Sequence, residues 1–381
     1  MIKKLLFFLA PGLLAVASLI GCSRAEVEFD AETQVKVYDE IYPASIFQAG
    51  KVSIKVSDEL VKELEANTDE NGMVIPAQVK SMTSTLAQLG NVRMERIFEH
   101  AGRFEPRTRE AGLHKWYYVY FDEEIALTKA GDDLKAIKGI ELVEYNPRIA
   151  RPQYTKVQEV EGDENLPQIE QTADMPFDDP RLGNQWHYYN NGSRYYSEAG
   201  SDINIFPVWQ AGVTGNQEVI VSVVDGGIDY AHEDLADNMW VNKGEIPNNN
   251  KDDDSNGYID DIHGYNFVDK GPVSWDKEGD GHGIHVAGTI SAVNNNGKGV
   301  CGIAGGDGSG NGVRIMSAQI FSGNNENNGS TAVVAEAITY SANNGAILAN
   351  NSWGTRAMSG QNDSWYMNYE SAIQDACKYF Q

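Results

Sequence analysis

Long apolar runs are nearly absent. Only Leu5 to Ile20 is continuous enough to consider for a bilayer, and it falls short of the ~20 residues that a comfortable helical span needs. Cysteine is scarce, with three in 381 residues (Cys22, Cys301 and Cys377), which excludes a disulfide framework. Positive charge is also short. Thirty Lys and Arg stand against 55 Asp and Glu, for a net charge of −25. That balance argues against nucleic acid as a partner and suits a secreted, calcium-rich setting. Aromatic residues are not lacking, at 10%, so this is not a disordered acidic chain. The length allows more than one domain.

The one apolar run follows Lys3 and Lys4 and ends in Leu19-Ile20-Gly21-Cys22. A basic start, a short apolar core and a small residue before Cys form a targeting signal that resembles the bacterial lipobox. Residues 1–22 then read as a lipoprotein signal peptide, with Cys22 lipidated at the cell envelope. The alternative is a secretory signal cut slightly later. Residues 23–47 read as a tether.

The chain is organised around Val219-Ile220-Val221-Ser222-Val223-Val224-Asp225-Gly226-Gly227. A β-branched run that is apolar on both faces predicts a buried central strand of a parallel sheet. The glycines end it in a sharp turn. Chemistry in open α/β sheets sits at the carboxyl ends of strands, which is where Asp225 falls. Downstream, Asp280-Gly281-His282-Gly283-Ile284-His285-Val286-Ala287-Gly288-Thr289 sets a histidine between glycines at the entrance of a small-residue helix. An acid and an imidazole on separate elements, in that order, supply two members of an Asp…His…Ser triad. A zinc reading of His282 and His285 lacks the Glu of H-E-x-x-H.

Together these two motifs resemble the subtilisin-like serine proteases, the subtilases, whose usual forms are D-[ST]-G and H-G-T-H-V-A-G-T. Gly226 and Ile284 depart from that pattern. The phrase Ile228-Asp229-Tyr230-Ala231-His232-Glu233-Asp234-Leu235 and the entry segment Asp179-Pro180 to Gln185-Trp186 are also similar to the family's. The resemblance implies a subtilisin-like parallel sheet flanked by helices over residues 176–381, with Asp225 and His282 catalytic. It also implies that Ser352, Trp353 and Gly354, in Asn350-Asn351-Ser352-Trp353-Gly354, line the substrate groove. The family's later G-T-S motif, with the nucleophile, is absent from these residues, so the expected sheet is incomplete and its edge raw. Two readings stand: a truncated serine endopeptidase acting on polypeptides, or a non-catalytic pseudoprotease or peptide-binding lipoprotein.

Ahead of this region, residues 48–151 alternate and switch period in the order β-α-β-β-α-β, a small ferredoxin-like α+β module. Lys51 to Ser57 reads as a half-buried strand, Ser57 as a helix N-cap, and Leu127 to Ile137 as a helix. Its position resembles that of the subtilase propeptide, an intramolecular inhibitor whose tail lies in the active site until it is cut. Residues 152–175, acidic and aperiodic, read as an exposed linker suited to cleavage. Farther on, Ser330 is expected to cap a helix with Val333, Ile338 and Tyr340 on one apolar side.

The run Asp252-Asp253-Asp254-Ser255-Asn256-Gly257-Tyr258-Ile259-Asp260-Asp261 offers oxygen ligands at alternating positions with a Gly for the turn. That pattern suits Ca²⁺, although its twelfth position is His263, not Glu. Asp252, Asp254, Asn256 and Asp261 are the expected ligands. The alternative is a merely solvated acidic loop.

Overall fold

The computed structural model describes residues 42–150, 175–193, 197–276, 280–322, 329–355 and 370–381. The signal segment with Cys22, the tether up to residue 41 and nearly all of the 152–175 linker lie outside the described residues.

The N-terminal part begins with β1 (Phe47–Val56), which runs into α1 (Asp58–Ala66). Ser57 stops the strand and starts the helix. Its side chain accepts from the Leu60 amide, with Asp58 and Glu59 in the first turn, a cap that contributes about 1 kcal/mol. Next come β2 (Met73–Val74), β3 (Arg93–Arg96), β4 (Trp116–Tyr120), α2 (Leu127–Lys135) and β5 (Ile140–Pro147). The sheet order is β2-β3-β4-β1-β5 with antiparallel pairing throughout. Without the edge strand β2, this is the ferredoxin-like arrangement that the sequence pattern predicts.

Alternation along β1 and β4 has a consequence the pattern alone did not reveal. Val52, Ile54, Val56, Tyr117 and Val119 face the domain's own core with α1 and α2. The opposite face is not in water. Ser53 is fully buried, Lys55 pairs with Asp375 at 2.7 Å, and Trp116 and Tyr118 join the core of the C-terminal part. The expectation of a half-buried strand is therefore corrected, because the second face of this sheet, where Lys55 meets Asp375, is covered by the C-terminal part.

After the two-residue strand β6 (Ile149–Ala150), the C-terminal part builds a second sheet. Its strands are β7 (Ile220–Asp225), β8 (Gly264–Asn266), β9 (Gly271–Pro272), β10 (Arg314–Gln319) and β11 (Leu348–Asn351), in the order β11-β7-β10-β8-β9. β7 is central, with β10 and β11 parallel on its two sides, as its all-apolar run predicts. Only β9 is antiparallel. One face packs α3 (Gly281–Ser291) through Val221, Val223, Ala287 and Ile315. The other packs α4 (Thr331–Asn343) and α5 (Ser371–Phe380). Among the described residues β11 is an edge, and Ile347 and Leu348 beside it are well exposed.

α4 differs from the expectation of a one-sided helix. Every residue from Thr331 to Ser341 is buried, because the parallel sheet covers one side and α5, with the sheet of the N-terminal domain, the other. The Ser330 hydroxyl makes no capping bond. Glu336 is enclosed with the helix, and burial holds its carboxyl well above the usual range, with the nearby Glu99 adding to the shift.

Candidate active site

β7 delivers Asp225 to the carboxyl end of the parallel sheet, in register with Gln319 of β10. α3 starts beside it, and His282 is its second residue. The two elements can meet because two glycines do. A Cβ on Gly283 would lie 2.7 Å from the Gly226 carbonyl oxygen and 3.0 Å from that of Gly227. The helix entrance therefore rests directly on the turn after β7.

The result is a close pair. His282 Nδ1 lies 2.8 Å from Asp225 Oδ1 and 2.7 Å from Oδ2. Oδ1 also accepts from the Gly226 amide at 2.6 Å. Asp225 is fully buried, while the His282 side chain retains 11% exposure. A carboxylate at Nδ1 selects the tautomer with its proton there and leaves Nε2 as the basic nitrogen. Such a pair can take a proton at Nε2 and hold the resulting imidazolium.

Just beyond β11, which lies beside β7, the chain lays a strand of its own between two segments. β12 (Gly354–Thr355) pairs antiparallel with β6, Gly354 facing Ala150 and Thr355 facing Ile149. On the other side Arg148 bridges to Ser330, and the Ile149 amide donates to the Gly329 carbonyl at 3.3 Å. Ile149 is fully buried there. Residues 148–150 thus lie as a strand between two walls, one of which contains Gly354, as an extended peptide would. Ser352 accepts from Asn350 Nδ2 at 2.7 Å, and Trp353 Nε1 donates to Asn351 Oδ1 at 3.1 Å. Both bonds orient the segment leading into β12. The stretch in which cleavage is expected, residues 151–174, lies outside the described residues.

The acidic loop folds differently from its linear spacing. Carboxylate oxygens of Asp252, Asp254 and Glu245 lie within 4.8 Å of one another. Burial raises the Glu245 carboxyl above its ordinary value, and the neighbouring Asp254 and Asp253 charges push the same way. Asn256 and Asp261 are engaged elsewhere. Asn256 accepts from the Tyr258 amide and donates to Asp261 Oδ2. Asp261 accepts from Asn242 and Tyr340 as well, and its burial lifts the carboxyl to about 7. Asp252 and Asp254 converge with Glu245, which no part of the D-x-D-x-N-G phrase signals. Three crowded oxygen donors fit a hard divalent cation.

Residues 216–379 match the Subtilase family, and residues 52–192 match the N-terminal of Subtilase family. Over 86 residues the chain is 49% identical to Subtilisin-like protease 1 of Plasmodium berghei, covering 22% of this chain and 14% of that protein. It is 32% identical over 188 residues to the Halolysin-like extracellular serine protease Nep of Natrialba magadii, covering 48% of this chain and 27% of that one. The chain thus spans well under a third of either relative. In fold it is similar to fervidolysin from Fervidobacterium pennivorans, a keratinolytic enzyme related to subtilisin. The TM-score is 0.52 at 20% identity, over 88% of this chain and 38% of that one. The acid–imidazole pair at the end of a parallel sheet thus falls within the residues that match the Subtilase family, and the ferredoxin-like module ahead of it within those that match the N-terminal of Subtilase family.

Proposed function

We propose that this chain carries the acid and base of a subtilisin-like serine endopeptidase, held by its own N-terminal domain. The observation that carries the reading is the 2.7–2.8 Å contact between Asp225 and His282 Nδ1, beside a groove in which a strand pairs with Gly354. Asp225 orients the ring and stabilises its cationic form. His282 Nε2 removes the proton from a serine hydroxyl and returns it to the leaving amine. Ser352, Trp353 and Gly354 align the polypeptide substrate as an added strand. Until the chain is cut, residues 148–150 take that place, so the N-terminal domain acts as an intramolecular inhibitor. Cys22 anchors the protein at the cell envelope through lipid, a location that agrees with the extracellular relative Nep.

The test is labelling of the full gene product by a fluorophosphonate, with casein as substrate. One serine should react, casein should be cut, and both should vanish in His282→Ala. Intact casein with no labelled serine sinks the reading.

Glu245, Asp252 and Asp254 would hold Ca²⁺, which would neutralise their crowding and brace the loop. Adding calcium to chelator-treated protein should raise its melting temperature. The stabilisation should reach about 2.7 kcal/mol at a hundred times the Kd, and Glu245→Gln should remove most of the gain. An equal rise with magnesium, or none with calcium, goes against this assignment.

A further inference from the structure

The N-terminal domain touches the subtilase domain at β12, along α4 and α5, through Glu99 with Lys270 at 2.8 Å, and at a further place that neither role explains. Residues 100–103 form a turn between β3 and the short helix Glu105–Glu110. They lie outside the strands and helices of the ferredoxin-like pattern, and they meet residues 254–257 of the acidic loop backbone to backbone. The Arg103 amide donates to the Ser255 carbonyl at 2.7 Å. The Arg103 guanidinium donates to the Asp254 carbonyl at 3.0 Å and pairs with Asp254 Oδ2 at 3.1 Å.

This approach tolerates no side chain on either surface. Gly102 has φ +48, and a Cβ there would stand 2.0 Å from the Ser255 oxygen. Gly257 has φ +99, and its Cβ would stand 2.4 Å from the His100 oxygen. Backbone atoms cannot swing aside as a long side chain can. The turn is also braced from behind. Glu105 accepts from the Ala101 amide at 3.1 Å and from Arg96 at 2.9 Å. Contacts between prearranged surfaces lose little entropy on docking.

We propose that the contact of residues 100–103 with residues 254–257 is a recognition lock. It holds the N-terminal domain on its own subtilase domain independently of the strand in the groove. The partner surface it fits is a turn with bare backbone at the position of Gly257 and a carboxylate at that of Asp254. A subtilase domain with any side chain at position 257 is rejected by backbone collision, which is how an interface excludes wrong partners. The inference rests on the reading of residues 42–150 as a domain that remains docked after the linker is cut.

The experiment uses the full chain with a site-specific protease recognition sequence inserted between residues 155 and 170. After nicking, the dissociation rate of the N-terminal piece is measured. Arg103→Ala, at a side chain that is 48% exposed, and Gly257→Ala should each speed release at least tenfold. They should do so also in an Ile149→Gly background, where the groove contact is already weakened. Circular dichroism and melting of the unnicked variants report whether each still folds. Release within twofold of wild type for both variants overturns the lock. The readout needs no peptide cleavage, so an inactive protein with lock-dependent release would sink the proposed activity and leave this inference standing.

Discussion

Asp225→Asn should lower kcat roughly 10⁴-fold while leaving KM nearly unchanged. Both carboxylate oxygens lie within 2.8 Å of His282 Nδ1, and an amide presents an N–H where one of them stands. The ring then places its proton on Nε2, the atom that has to accept one. Asp225 is wholly buried, so no water substitutes for it. The measurement is steady-state kinetics on the processed protein, with the fluorophosphonate labelling rate as a second readout. A loss below tenfold, or a change confined to KM, would falsify the assigned role.

Gly283→Ala should be nearly as damaging, for a purely steric reason. The added methyl would sit 2.7 Å from the Gly226 oxygen and 3.0 Å from the Gly226 carbonyl carbon. The entrance of α3 has to retreat from the turn after β7, taking His282 with it. A displacement of about 1 Å can cost 10²-fold in rate. Gly281→Ala is the control, since nothing lies within 4 Å of its Cβ position. The expected result is a loss of about 10²-fold or more for the first and under threefold for the second, with the far-ultraviolet dichroism of both unchanged. Equal losses would mean that contact with the turn does not set the outcome, since both substitutions raise helix propensity.

Much of the arrangement around Asp225 was legible because it is local. A β-branched run ending in Asp-Gly-Gly can hardly be anything but an interior strand tip, and Gly-His-Gly before small residues marks a helix that has to lie close to something. The ferredoxin-like module was legible for the same reason, since Ser57 and the alternation of β1 act within a few residues. What stayed hidden depends on partners far along the chain. Nothing near Ser53 announces that α4 and α5 cover its side of the sheet. Nothing near Val333 says that α4 is enclosed all round. Glu245 joins Asp252 and Asp254 only because the loop doubles back. Gly102 and Gly257 read as ordinary turn glycines until each is seen against the carbonyl of the other's turn.

The covering of α4 also governs how the two domains come apart. Enclosure holds the Glu336 carboxyl well above its ordinary range. Lys51, whose ammonium lies 3.4 Å from the Tyr118 ring centroid, is brought down from 10.5 to about 7, mainly by burial. On uncovering, the carboxyl sheds a proton, a release that favours parting as pH rises above the ordinary carboxylate range. The amine takes one up, which favours parting as pH falls from 10.5 towards 7. The two flows of protons run in opposite directions. Parting thus bares a carboxylate on the helix and an ammonium on the strand that covered it, wettable faces less prone to clumping.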